Sequence, residues 1–141
     1  MSLKIATSDD CETVVEMAMK FVNSSPYKHL ASETKIRAVV KELLEAPNER
    51  HIIFLHEHGF LAAAAVPFTF GDVYMASEIA WWVEPDARGK KAGTELLGAF
   101  EAWAKKIGCT IATACCLDDA VGKFYEKNDF KLYERAYLKE L

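Results

Sequence analysis

The sequence predicts an α+β fold, a sheet with helices on both faces, from three observations along the chain. The first part has two stretches with apolar residues at helical spacing. The middle has three apolar stretches separated by short turns, which predict strands. The last part alternates helical and strand-like stretches. The predicted order, β-α-α-β-β-β-α-β-α-β, is compatible with several α+β folds.

The N-terminal part predicts a short strand, Leu3–Ile5, followed by two amphipathic helices. Ser8 or Asp9 is expected to cap the first helix, and the second begins near Ser32 and ends at Pro47-Asn48. Their apolar residues are Val14, Met17, Ala18, Phe21 and Val22 in the first helix, and Ile36, Val39, Val40, Leu43 and Leu44 in the second. This i, i+3, i+4, i+7 spacing gives each helix one apolar face.

Three strands are predicted in the middle of the chain: His51–Leu55, Phe60–Phe68 and Val73–Val83. Turn residues separate them at positions 57–59 and 71–72. Short turns between consecutive strands favour an antiparallel meander.

The C-terminal part predicts a helix that ends near Lys106 and then a short apolar strand, Thr110–Cys116, of the kind found centrally in parallel sheets. A helix over about Asp119–Lys127 and a final strand over Lys131–Glu140 follow, the latter from its alternating pattern.

Length and composition predict one domain, residues 1–141, because 141 residues with 51% hydrophobic content suffice for one core. A net charge of −4 gives no general attraction to nucleic acid or anionic membranes. No apolar run approaches the roughly 20 residues that span a bilayer, and the N-terminus lacks a signal-peptide core. We therefore expect a cytoplasmic protein that binds neither nucleic acid nor membrane.

The cysteines and histidines do not predict a metal site. The chain has no C-x-x-C pair, and its cysteines have no histidine at ligand spacing. We expect buried, reduced cysteines at Cys11, Cys109, Cys115 and Cys116. We expect surface positions for His51, His56 and His58.

The stretch from Glu78 to Leu97 carries the clearest functional pattern: a strand, a basic glycine-containing turn and the start of a helix. The first amides of a helix lack helical partners and attract anions. The turn adds the positive charges of Arg88, Lys90 and Lys91. We predict a ligand with a pyrophosphate group. Gly89 and Gly93 lack the G-x-G-x-x-G spacing of a dinucleotide site.

This stretch resembles the acetyl-CoA-binding motif of the GNAT acyltransferase superfamily, Gln/Arg-x-x-Gly-x-Gly/Ala. Arg88 matches the first fixed position and Gly93 the last, whereas Lys91 replaces the middle glycine. The segment Asp118 to Phe130 resembles a second GNAT block, Asn-x-x-Ala followed by Tyr-Glu-Lys-x-Gly-Phe. There Asp118 replaces the usual Asn, and Asp129 replaces the usual Gly. Both replacements affect loop geometry, because Gly and Asn tolerate positive φ better than most residues, with Asp next.

The resemblance implies a mixed, mostly antiparallel GNAT-like sheet in which the strands before and after the phosphate-turn helix are parallel and splay apart. The pantetheine arm of acetyl-CoA, the implied cosubstrate, would lie in the gap. The implied cofactor-binding residues are Trp82, Val83, Arg88, Gly89, Lys90, Lys91, Ala92, Gly93, Thr94, Asp118 and Lys123.

Acetyl transfer to an amine needs a general base, because an amine with a pKa of about 10.4 is protonated at neutral pH. Glu78 lies near the position of the glutamate that many GNAT enzymes use, and strict alternation places it on the face of Ala80 and Trp82. The alternatives are Glu84, Asp72 and His29. The resemblance assigns the oxyanion contact to a backbone N–H near Trp82 or Val83.

Tyr125 matches the tyrosine that often protonates the departing thiolate in GNAT enzymes. Since a helix cannot point both neighbours at the core, we expect Phe124 to be the core residue and Tyr125 to face the site. The resemblance places acceptor binding at the loop with Tyr27 and His29, together with Glu78 and Trp82.

The sequence therefore predicts an N-acetyltransferase that moves an acetyl group directly from acetyl-CoA to a primary amine of a small molecule or a protein. Two alternatives stay open: a noncatalytic CoA-binding GNAT-fold protein, or an enzyme that uses another acyl-CoA. No metal is expected, and the prediction leaves room for a homodimer.

Overall fold

The computed structural model describes residues 3–45 and 50–141. Its strands are β1 (Leu3–Ile5), β2 (His51–His56), β3 (Gly59–Pro67), β4 (Tyr74–Val83) and β5 (Ile111–Thr113). Its α-helices are α1 (Cys11–Asn23), α2 (Glu33–Glu45), α3 (Lys91–Lys106) and α4 (Asp119–Lys127). Short 3₁₀ turns cover Ser8–Asp10, Lys28–Leu30 and Pro85–Ala87. The predicted helices and the first five strands are therefore confirmed.

The sheet has the order β1-β2-β3-β4-β5 over the described residues. The first four strands pair antiparallel, which confirms the meander, and β5 pairs with β4 in parallel. The central position predicted for β5 is wrong, because β5 is an edge strand of this sheet.

The predicted final strand over Lys131–Glu140 is wrong. Residues 131–141 form no regular secondary structure and are exposed throughout. Their alternating side chains satisfy the strand pattern, but a strand also needs a neighbour for its backbone hydrogen bonds. No strand of the described chain pairs with this segment.

The ends of the first two helices show how local sequence sets their boundaries. The Asp10 carboxylate accepts the backbone N–H of Thr7 at 2.9 Å, so the entry to α1 begins one residue before the predicted caps, Ser8 and Asp9. The Ser32 hydroxyl accepts the N–H of Lys35 at 3.2 Å and begins α2 as predicted. The predicted stop at Pro47-Asn48 lies outside the described residues.

The sheet has an apolar layer on each face, which confirms the predicted helices on both sides. On one face, α1 and α2 pack against β-strand residues that include Ile53, Phe60 and Trp82. On the other face, α3 and α4 pack against residues that include Leu61 and Ala76. We call these the α1/α2 face and the α3/α4 face. No helix within the described ranges is long and apolar enough to cross a membrane.

Candidate active site

The two parallel strands separate where the site was predicted. β4 pairs with β5 only from Met75 to Ser77, opposite Ile111 to Thr113. From Glu78 to Val83, β4 continues with β3 as its only strand neighbour among the described residues. The splayed pair implied by the sequence is therefore confirmed, and Glu78 lies at the point of separation.

A β-bulge in β4 changes the face on which Glu78 lies. Ala62 pairs with Ala80, but its neighbour Ala63 pairs with Glu78, so Ile79 is an extra residue. Directly paired residues share a face of the sheet, and Ala63 belongs to the α3/α4 face. The prediction that Glu78 shares a face with Ala80 and Trp82 is therefore wrong, since it assumed strict alternation.

The Glu78 side chain is half-buried, and no cation pairs with it in the described part of the chain. Burial raises the pKa of its carboxyl to about 8, because a desolvated carboxylate is disfavoured relative to the neutral acid. A carboxyl that titrates near neutral pH can take a proton from an ammonium group and release it again.

Tyr125 lies on the same face as Glu78 and is 6% exposed. Its hydroxyl accepts the Trp81 indole N–H at 2.6 Å and donates to the Cys115 carbonyl at 2.9 Å. Burial, followed by the nearby Glu78 carboxylate, raises the pKa of this phenol well above its usual range. Phe124 is only partly buried, so the prediction that Phe124 would be the core residue of the two is wrong.

The turn before α3 has the backbone expected of an anion site. Gly89 has φ +78°, which favours glycine, and Lys90 precedes the helix with no side chain capping the first amides. Lys91 is the first helical residue, a conformation open to any side chain, so its replacement of glycine requires no unusual φ. A cavity of about 360 Å³ lies beside this turn and is lined in part by Lys90 and Lys91.

Arg88 ties the turn to the end of β4. Its Nε donates to the Val83 carbonyl at 2.8 Å, and its guanidinium lies 4.7 Å from the centre of the Trp82 ring. Trp82 is buried on the α1/α2 face, and its indole N–H has no hydrogen-bond partner among the described residues. These two Arg88 contacts hold the turn against the end of β4.

Comparison with known proteins identifies the family. The acetyltransferase (GNAT) family profile matches residues 15–130. The chain belongs to the GNAT acetyltransferase family. A search of curated protein sequences gave no match.

Several solved structures share the fold over nearly the whole of both chains. A transcriptional regulator from Bacillus halodurans C-125 has a TM-score of 0.80 at 18% identity, with 99% of each chain covered. AAC(6')-Iy, in complex with the bisubstrate analogue CoA-S-monomethyl-acetylneamine, has a TM-score of 0.78 at 14% identity, with 99% of this chain and 96% of that chain covered. The aminoglycoside 6'-N-acetyltransferase AAC(6')-IG from Acinetobacter haemolyticus has a TM-score of 0.77 at 18% identity, covering 100% and 98%.

The second GNAT block has mainly structural contacts here. Asp118 caps α4, because its carboxylate accepts the Val121 N–H at 3.0 Å, and its extended backbone carries no strain. Asp129 has φ +67°, in the left-handed region that glycine tolerates best, so of the two replacements it is the one at a position with positive φ. Lys123 is exposed on α4, and Thr94 is exposed on α3.

The predicted acceptor loop lies at the 3₁₀ turn between α1 and α2. Tyr27 is 42% exposed, and His29 pairs with Glu140 at 2.7 Å. Of the alternative bases, Glu84 pairs with Lys20 at 2.9 Å, and Asp72 lies in the exposed loop between β3 and β4.

Sequence reasoning missed two groups near the site. Trp81 is the hydrogen-bond donor that fixes the Tyr125 hydroxyl, and only the bulge at Ile79 reveals that Trp81, Glu78 and Tyr125 share a face. His56 is buried rather than exposed, and its Nε2 lies 3.3 Å from Glu95 beside the start of α3.

The predicted burial of three other residues is also wrong. His51 is partly buried although it was expected at the surface, and Cys115 and Cys116 are exposed although they were expected to be buried.

Proposed function

We propose that this protein is an acetyl-CoA-dependent N-acetyltransferase that acts by direct transfer within a ternary complex. One observation carries the proposal: Glu78, with a pKa of about 8, lies where β4 and β5 separate and shares a face with the Tyr125 hydroxyl. A base and a weak acid at one opening are the two proton-transfer groups that this reaction needs.

Acetyl-CoA would bind with its pyrophosphate at the start of α3, where uncapped amides and local cations attract an anion. The proposed contacts are Gly89, Lys90, Lys91, Ala92, Gly93 and Thr94, with Lys123 nearby on α4. Arg88 and Asp118 would hold the turn and α4 in place, given their present hydrogen bonds. The complex of AAC(6')-Iy with a CoA-containing analogue supports a CoA-derived cosubstrate.

In the proposed reaction, Glu78 removes a proton from the ammonium group of the acceptor, directly or through a water. The freed nitrogen lone pair attacks the thioester carbonyl, and a backbone N–H near Trp82 or Val83 stabilises the oxyanion. When this intermediate collapses, the C–S bond breaks and the thiolate takes the Tyr125 proton to become the thiol. The amide nitrogen releases its second proton to solvent, and the Tyr125 phenolate regains a proton from solvent.

The acceptor would be a primary amine, and a small molecule is favoured because two structural neighbours are aminoglycoside acetyltransferases. We assign its approach to the loop with Tyr27 and His29 and to Glu78. The role of Trp82 would be indirect, since its ring is buried beneath Arg88.

The test is thiol release by the purified protein from acetyl-CoA with a panel of amines, including aminoglycosides, polyamines and lysine peptides. Acceptor-dependent release with mass-confirmed acetylation supports the proposal. If the protein binds CoA but turns over no acyl-CoA, the noncatalytic alternative is favoured. If it turns over another acyl-CoA but not acetyl-CoA, the acyl donor is that other acyl-CoA. No thermal stabilisation by either CoA or acetyl-CoA at millimolar concentration would contradict all three functions.

A further inference from the structure

His56, the last residue of β2, is a buried polar side chain that the proposed reaction does not use. Its Nδ1 accepts the backbone N–H of His58 at 3.1 Å, so Nδ1 carries no proton. A neutral imidazole then carries its one proton on Nε2, which lies 3.3 Å from the Oε2 atom of Glu95. The two ring nitrogens therefore contact two different elements, the β2–β3 turn and α3.

The contact through Nδ1 leads to the end of β4. The His58 carbonyl accepts the backbone N–H of Glu84 at 2.8 Å, and Glu84 directly precedes the 3₁₀ turn Pro85–Ala87. A Cβ atom added to Gly59 would collide with the carbonyl oxygen of Trp82, so glycine allows the β2–β3 turn to approach β4 this closely. The turn that the imidazole holds is therefore bonded to the chain at the point where β4 ends.

The contact through Nε2 leads to the start of α3. Glu95 lies on α3, and its side chain is 40% exposed. The cavity of about 360 Å³ beside the turn before α3 is lined by the imidazole and Glu95 as well as by Lys90 and Lys91. Ala87 and Ala92 are buried beside the same cavity. This contact joins the β2–β3 turn to the helix whose first amides are the proposed pyrophosphate site.

We propose that His56 is a positioning residue for CoA, because its two ring nitrogens hold both ends of residues 84–95, the segment that contains the turn before α3. The inference rests on the proposed function, since it assigns a CoA pyrophosphate to this turn. A site built from backbone amides binds an anion best when the amides are held in place before the ligand arrives. His56 touches neither CoA nor the reacting atoms, so its loss should weaken CoA binding and leave the chemical step unchanged.

Glu95 separates positioning from a simple effect of charge. A carboxylate near a phosphate site repels the ligand, so removal of its charge alone should strengthen CoA binding. Glu95→Gln keeps an oxygen that can accept from Nε2 and should bind CoA at least as tightly as the wild type. Glu95→Ala also removes the contact, and its Kd for CoA should rise about threefold. Glu101→Ala, further along α3, is the control and should leave the Kd unchanged. Tighter binding of CoA by Glu95→Ala would overturn the proposal.

His56 itself is tested by isothermal titration with CoA and by kinetics with acetyl-CoA and the amine that the panel identifies. His56→Leu should raise both the Kd for CoA and the KM for acetyl-CoA about tenfold, with kcat within about twofold of the wild type. His56→Asn keeps an acceptor at the Nδ1 position and His56→Gln keeps a donor at the Nε2 position, so each should restore part of the affinity. His51→Leu, the same change at the other end of β2, should match the wild type. An unchanged Kd in His56→Leu, or a loss in kcat alone, would overturn the proposal.

Two measurements test the contacts without CoA. Nitrogen-15 NMR at about pH 8, where an ordinary imidazole is neutral, should show His56 with its proton on Nε2. The amides of His58 and Glu84 should exchange hydrogen faster in His56→Leu than in the wild type or in His51→Leu. A proton on Nδ1, or equal exchange rates, would overturn the proposal whether or not CoA binds. A wild-type protein that shows both contacts but binds no CoA would instead contradict the proposed function, and with it the assignment of His56 to CoA.

Discussion

At the scale of single residues, Ile79 decides on which face of the sheet the Glu78 side chain lies. It is 46% exposed, yet as the extra residue of the bulge it shifts the alternation of β4. If β4 alternated strictly, Glu78 and Trp81 would lie on opposite faces, since they are three positions apart. With it, both lie on the α3/α4 face with Tyr125. Bulges often redirect a side chain beside an active site in this way.

Glu78→Gln tests the proposed base. The substitution keeps the shape but cannot accept the proton, so turnover at pH 7 should fall by about 10²–10⁴-fold. Wild-type turnover should rise through about pH 8 as the carboxyl ionises, and the defect should narrow at higher pH as the amine loses its proton unaided. Glu84→Gln, at a carboxylate already paired with Lys20, should change turnover only slightly. Equal activity of Glu78→Gln and wild type over pH 6 to 9 would exclude this role.

Tyr125→Phe tests the proposed acid and also a buried hydrogen-bond pair. Removing the hydroxyl leaves the Trp81 N–H and the Cys115 carbonyl without this partner, so the free energy of unfolding should fall by about 1–3 kcal/mol. Turnover should fall by about 10²-fold, the low end of the acid–base range, because a CoA thiolate is already a fair leaving group. CoA affinity should change only a few-fold. Loss of stability with full turnover would make Tyr125 purely structural.

Asp129→Gly should stabilise the protein. Asp129 holds φ +67°, a left-handed conformation that glycine adopts without steric cost. We expect the free energy of unfolding in urea to rise by about 0.5–1 kcal/mol, which is the steric cost of the left-handed conformation less the extra backbone entropy that glycine loses on folding. Asp118→Gly is the contrasting variant: that residue is extended and caps α4, so the same replacement should lower stability. A loss of stability in Asp129→Gly would point to an unrecognised role of its carboxylate.

At the scale of elements, Lys91→Ala tests the proposed binding of the CoA pyrophosphate at the start of α3. If the backbone amides make the main contacts, CoA binding should weaken by about 1 kcal/mol or less, and the effect should shrink at high salt. Lys106→Ala, at the far end of the same helix, should leave CoA affinity unchanged. Isothermal titration at two salt concentrations measures both. A loss of several kcal/mol would make the Lys91 ammonium an essential phosphate ligand.

The elements also show what sequence can predict and where it fails. The helices and the meander follow from local signals, such as the Ser32 cap and the apolar spacing of α1, because those signals act within a few residues. The bulge at Ile79 is not encoded in a local pattern that we can recognise. Lys131–Glu140 has the pattern of a strand, but pairing depends on a neighbour that the pattern does not specify.

The site was predicted to a similar extent. The glycine turn at Gly89 and the start of α3 after Lys90 were predicted, because they depend on consecutive residues. The surroundings of Glu78 and Tyr125 were not, since they depend on residues that the fold brings together over 44 to 47 positions, as in the contact of Trp81 with Tyr125. The pKa of Glu78 likewise results from burial, which no short motif reports.

At the scale of the whole molecule, the stability of the fold should depend on pH through Glu78. The folded protein keeps the Glu78 proton up to about pH 8, whereas the unfolded chain releases it near pH 4.5. Between these values the folded state binds more protons than the unfolded state, so the free energy of unfolding should fall as pH rises. The group is half-buried, so solvent screening should keep the fall modest.

Glu78→Gln should remove this component, because a glutamine neither binds nor releases a proton in the window. We therefore expect wild-type melting temperature to decline between about pH 5 and pH 8, and the variant to decline less and to be the more stable protein at pH 8. The pKa of Asp10 is lowered, mainly by the hydrogen bond from the Thr7 N–H. Asp10 therefore changes its charge below pH 5 and should affect the stability of both proteins equally. Parallel melting curves for the two proteins across the range would mean that Glu78 titrates in the folded state as it does in the unfolded chain. The Glu78 carboxyl would then be solvated, and it would lack the raised pKa on which its proposed role as a base depends.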